Sequence, residues 1–73
     1  MSTESTSIDI VVNGQPQAAP QGLTILGLLH HLELDPSRVA VELDRRIVRQ
    51  TRWPDTVVEP GAELEIVQFV GGG

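Results

Sequence analysis

The sequence predicts an α+β domain: one mixed β-sheet packed on a single main helix. Three observations carry the prediction. Stretches near both ends and in the middle alternate apolar and polar residues with the period of two that a half-buried strand requires. Between them, Ile25, Leu28, Leu29 and Leu32 recur at the spacing of one apolar helix face. The chain is 73 residues long, which is room for one small domain.

The elements follow in chain order. Residues 1–7 are polar and read as a flexible N-terminal tail, and the domain proper runs over 8–70. Ile8-Asp9-Ile10-Val11-Val12 is a strand. Asn13-Gly14 is the two-residue hairpin signal, since both residues tolerate positive φ. Gln15 to Ala18 is the returning strand, placed at an edge because Pro16 cannot donate to a ladder. Thr24 is a helix N-cap, and Leu23 before it is placed to staple onto the first turn. Gly27 inside the helix costs roughly 1 kcal/mol relative to alanine. Asp35-Pro36 closes the helix, because a residue before proline avoids the helical region. Val39 to Leu43 is a third strand, Asp44-Arg45 a hairpin turn, and Ile47-Val48 a short strand. Residues 49–60 read as irregular, with Trp53 against the open end of the core and its N–H at the surface. Glu63 to Phe69 is the last strand.

Pleat parity assigns the faces. Ile8, Ile10, Val12, Val39, Val41, Leu43, Leu64 and Ile66 point toward the helix. Asp9, Val11, Ala40, Glu42, Glu63, Glu65, Val67 and Phe69 point the other way, and no second helix is available to cover them. Val11, Ala40, Val67 and Phe69 therefore form an exposed apolar patch rimmed by carboxylates, the pattern of an interaction surface.

Composition excludes several classes of function. There is no cysteine, hence no disulfide scaffold, thiolate metal site or Cys nucleophile. Ten Asp+Glu against five Lys+Arg give a net charge of −5, which opposes nonspecific nucleic-acid binding. The longest apolar run, residues 23–29, is too short to span a bilayer. No targeting signal is visible, and the expected location is cytoplasmic. All the basic residues are arginines, at 38, 45, 46, 49 and 52; they read as a solvated hairpin or a docking spot for an acidic partner. His30 and His31 are adjacent on a helix, so they diverge and do not form a metal pair. No phosphate-cradling loop, lysine or nucleophile elbow is present. No metal, cofactor or catalytic constellation is expected.

The sequence closes on Gly71-Gly72-Gly73 directly after the last strand. A tail without side chains can thread a narrow channel and deliver only its terminal carboxylate to a partner's active site. With that tail, Val12-Asn13-Gly14, Leu23-Thr24-Ile25 with Leu28-Leu29, Val39-Ala40-Val41-Glu42-Leu43, Ile47-Val48-Arg49, Trp53 and the segment Leu64 to Gly73 resemble the ThiS family. That family comprises sulfur carriers of the ubiquitin-like β-grasp superfamily, and the likeness covers nearly all of residues 8–73. The chain departs from the family pattern at two turn positions, with Asp44 where asparagine is usual and Ala62 where aspartate is common.

The resemblance implies a β-grasp fold and a carrier rather than an enzyme. The Gly73 carboxylate would be adenylated by a ThiF-like E1-type enzyme, with ATP and Mg²⁺ held by that partner. A persulfide sulfur, supplied by a donor such as a cysteine desulfurase, would displace AMP and leave a thiocarboxylate for thiazole synthase, ThiG, in thiamine biosynthesis. Gly71 and Gly72 would be the threading tail, and Phe69, Val67, Val11, Ala40 and Val70 the partner contacts. Two alternatives stay open: a carrier for molybdopterin or cysteine synthesis, and a ubiquitin-like modifier or interaction module.

Overall fold

A computed structural model describes residues 7–70. Apart from Ser7, the tails expected at 1–7 and 71–73 lie outside the described residues. The elements are β1 (Ser7–Val12), β2 (Gln15–Pro20), α1 (Ile25–His31), β3 (Val39–Leu43), β4 (Arg46–Ile47) and β5 (Glu63–Gln68). Two 3₁₀ turns, Pro36–Arg38 and Gln50–Asp55, lie between them. The strands form one mixed sheet in the order β2-β1-β5-β3-β4. β1 runs parallel to β5, and the other neighbours are antiparallel. The predicted α+β layering is what the chain adopts, with α1 on one face.

The first hairpin is a two-residue loop. Val12 pairs with Gln15, and Asn13 and Gly14 carry φ of 53° and 81°, the primed turn that matches strand twist. β2 continues two residues beyond the predicted Ala18, since Ala19 packs into the core opposite Ile8. β1 begins at Ser7, opposite Pro20, so the ordered domain takes in one residue assigned to the tail. The edge position predicted for β2 is observed, and both its prolines lie where a missing N–H is tolerated.

Helix α1 starts where expected. The Thr24 hydroxyl accepts from the Gly27 N–H at 3.1 Å. Leu23 lies over Gly27: a Cβ there would meet its Cδ2 at 3.2 Å, so the residue with a propensity cost also admits a close neighbour. The helix ends earlier than the sequence suggests. Glu33 takes a φ of +62°. Its N–H donates to the His30 carbonyl at 3.0 Å, and the Leu34 N–H donates to Leu29 at 2.9 Å. Those two bonds are a Schellman ending, which satisfies the last carbonyls without a glycine. Asp35-Pro36 instead opens the first 3₁₀ turn.

The second hairpin also has a two-residue loop, with φ of 50° at Asp44 and 73° at Arg45. β4 is Arg46–Ile47, one residue earlier than predicted. Val48 has left the ladder but still donates to the Val41 carbonyl at 3.0 Å. Residues 50–55 are a 3₁₀ helix rather than irregular chain, and they bury Trp53 to 2% exposure. The Trp53 N–H is not at the surface as predicted: it donates to the Val48 carbonyl at 2.9 Å. A buried indole needs that partner, and the turn supplies it.

The core sits between α1 and the inner sheet face. Ile25, Leu28 and Leu29 are fully buried against Ile10, Val41 and Leu64. Burying each such side chain contributes about 1.5–3 kcal/mol. The sheet therefore has one face closed by the helix and one left open, and the open face positions the candidate site.

Candidate functional site

Strand β5 carries the candidate site, and its placement is fixed from both neighbours. On one side, Val11 and Val12 pair with Glu63 and Leu64. On the other, β3 pairs with β5 from Leu43 opposite Leu64 to Val39 opposite Gln68. The two hairpin turns add grips. The Asn13 side chain accepts from the Ile66 N–H at 2.7 Å and donates to the Ile66 carbonyl at 3.1 Å, as a strand residue's backbone would. Asp44 accepts from the Glu63 N–H at 3.0 Å, and its own N–H donates to the Glu63 carbonyl at 2.8 Å.

The exit of the chain from the sheet is equally defined. Beyond β5, the Phe69 N–H donates to the Arg38 carbonyl at 2.7 Å. Arg38 ends the first 3₁₀ turn, which Asp35 caps by accepting from the N–H and hydroxyl of Ser37. Those two bonds, the hydroxyl's first, hold the Asp35 carboxyl below the usual carboxylate range, with the Arg38 guanidinium adding to the effect. Val70 follows at 92% exposure, so the chain leaves the sheet at Phe69–Val70. Gly71, Gly72 and Gly73, predicted as the reactive tail, lie outside the described residues.

Of the predicted contact residues, Ala40 and Val67 are brought together. They are register partners on the outer face, and both are exposed. Phe69 stands two residues further on, 54% exposed. Val11 is placed elsewhere. It is half-buried between Pro16 and Glu63, and Val67 lies four residues along β5 from that Glu63. An open groove of about 460 Å³ runs over β5, β3 and β4, lined by Ala40, Val67, Ile47, Glu42, Glu65 and Arg45, with Val41 at its floor. Ile47 and Arg45 are absent from the sequence-level patch. Ile47 is 77% exposed, and its register opposite Glu42 puts it on the outer face. Pleat parity carried through the Asp44-Arg45 turn would have found it.

Chemistry within the chain is sparse. Among the described residues, no cluster of three His, Cys, Asp or Glu could hold a metal ion. His30 and His31 are both exposed. No described helix is long and apolar enough to cross a membrane. On the open face, an exposed apolar strip of Ala40, Val67 and Ile47 lies beside Glu42 and Glu65.

A model of the ThiS family matches residues 10–73. The thiazole synthase of Magnetococcus marinus is 38% identical over 64 residues, which are 88% of this chain and 20% of that protein. The chain thus spans about one fifth of the length of the thiazole synthases it matches. The sulfur carrier protein ThiS of Escherichia coli is 26% identical over 66 residues, 90% of this chain and 100% of that protein. The crystal structure of the thiamine biosynthesis protein ThiS from Geobacter metallireducens superposes with a TM-score of 0.79 at 29% identity, covering 90% of this chain and 100% of the other. The fold is the ThiS-like β-grasp. Carriers of this kind are non-catalytic and bind no cofactor themselves. With the family model spanning most of its length, the chain belongs to the ThiS family, the sulfur carrier proteins of thiamine biosynthesis.

Proposed function

We propose that Gly73 carries sulfur as a C-terminal thiocarboxylate for thiazole formation. The observation that supports it best is the family match running through Gly71-Gly72-Gly73, which follow a firmly anchored β5 after Phe69 and Val70. A carboxylate is a poor electrophile. A ThiF-like enzyme would join it to the α-phosphate of ATP, releasing pyrophosphate and giving an acyl-adenylate. A persulfide sulfur then attacks the acyl carbon and expels AMP, leaving an acyl disulfide. A thiol cleaves its S–S bond, and the thiocarboxylate remains. ATP and Mg²⁺ belong to the partner, and the carrier contributes an unbranched thread and a docking face. Phe69, Val67 and Ala40 form the centre of that face, with Val70 at the root of the tail and Val11 at the far margin. Thiazole synthase is the acceptor favoured here, because two proteins of that name contain a stretch similar to most of this chain.

The test is the intact mass after incubation with the host's adenylating enzyme, ATP and a persulfide source. The expected product is heavier by the exchange of one oxygen for sulfur, and a variant lacking Gly73 stays unmodified while keeping its fold. Modification of the shortened variant, or none of the full chain by an enzyme active on a control carrier, overturns the reading.

A further inference from the structure

The outer face holds a charge arrangement that the fold does not use. Glu42 and Glu65 stand directly opposite each other in the β3–β5 register, on the face away from the helix. Opposed like charges in an antiparallel pair destabilise a sheet. Glu63 and Asp9 add two more outward carboxylates on neighbouring strands. Among the described residues, the ion pair found is Arg38 with Asp35, and neither Glu42 nor Glu65 has a cation within 4.0 Å. The two carboxylates flank the groove whose apolar wall is Ala40, Ile47 and Val67, and Arg45 also lines it but lies beyond 4.0 Å of either carboxylate, leaving two negative charges against one positive. An exposed aliphatic strip beside two unpaired carboxylates matches one kind of side chain. It has an apolar stem and a cationic head, and its guanidinium or ammonium gains most where several carboxylate oxygens converge.

We propose that this groove receives an arginine or lysine side chain of the adenylating partner, its stem on Ile47 and Val67 and its head between Glu42 and Glu65. The inference rests on the carrier reading above and names the chemistry of the partner surface: apolar at its centre and basic at its rim. The net charge of −5 supports the same polarity, drawing a basic surface toward the carrier and speeding encounter. It also explains why two facing carboxylates persist at a cost to the free protein: the partner's cation relieves the repulsion on docking.

The experiment compares the carrier with the Glu42→Gln/Glu65→Gln double variant as substrates of the host's adenylating enzyme. The net-charge control is the Glu33→Gln/Glu59→Gln double variant, which removes the same two charges at exposed positions outside the groove. The readouts are the rate of thiocarboxylate formation by intact mass and the urea midpoint. The double variant should raise KM for the carrier about tenfold or more, with kcat within about twofold, and flatten the dependence of KM on salt. Its urea midpoint should stay level or rise, which a merely structural pair would not allow. The control should match the parent within about twofold. An unchanged KM, or a fall confined to kcat, overturns the proposal. A concentration-dependent dimer of the parent that the double variant abolishes also overturns it, assigning the groove to a second copy. Failure of the carrier reading shows differently, as absence of conversion of the parent itself.

Discussion

Asn13 shows how much one residue can do beyond its local role. The Asn-Gly pair announces a turn because asparagine tolerates positive φ, and Asn13 does adopt 53°. Its side chain also spans 53 positions of sequence to bond both backbone groups of Ile66. Asn13→Gly keeps the turn and removes both bonds. It should destabilise the fold by about 1–3 kcal/mol, since part-buried backbone groups of β5 lose their partners. Urea unfolding checks this, and a midpoint equal to the parent's would show that solvent replaces the side chain fully. The turn was legible in the sequence and the bridge was not: φ tolerance is a property of two adjacent residues, whereas a partner 53 residues away exists only once the strands have paired. Trp53 teaches the same lesson, because its apolar bulk argues burial but nothing in the local sequence names Val48 as acceptor for its N–H.

At the scale of elements, alternation placed β1, β3 and β5, helical periodicity placed α1 and turn signals placed β2 and β4, while the ends were governed by backbone bonds that leave weaker traces. Helix α1 is the clearest case. A glycine after Leu32 would have announced the left-handed ending, but Glu33 occupies that place at a φ of +62°. The proline downstream therefore looked like the terminator. A side chain in the left-handed region carries a steric cost that glycine escapes. Glu33→Gly should stabilise the protein by about 0.5–1 kcal/mol, after allowing for glycine's greater freedom in the unfolded chain. Thermal unfolding should then move up by a few degrees, since about 1 kcal/mol corresponds to roughly 4–8 °C in a domain of this size. A lower midpoint would mean that the Glu33 side chain stabilises the ending by more than its backbone costs. The same physics separates the two hairpins: Asn-Gly was recognisable at once, whereas Asp44-Arg45 adopts the same turn with residues that tolerate it less well.

For the whole molecule, pleat parity is the property that links fold to function. It sends Ile10, Val41 and Leu64 to the helix and leaves Ala40 and Val67 on the open face, with Phe69 two residues beyond Val67 where the chain departs the sheet. Parity was readable before any coordinates, so the open face was too. What escaped was the contribution of β4: a strand of two residues carries no alternation of its own, and the face of Ile47 follows only when parity is carried from Glu42 through the Asp44-Arg45 turn. The separation of layers makes a sharp prediction for Phe69. Its side chain is 54% exposed, and its backbone bond to Arg38 survives truncation. Phe69→Ala should therefore cost little stability, under about 1 kcal/mol. A half-exposed aromatic ring next to the tail root has the character of a binding hot spot, however, and such residues cost about 2 kcal/mol or more when truncated. KM for the carrier in the adenylation assay should accordingly rise roughly 30-fold, at about 1.4 kcal/mol per factor of ten. A KM within twofold of the parent would remove Phe69 from the docking face and leave its exposure as the ordinary consequence of a sheet with one helix and two sides.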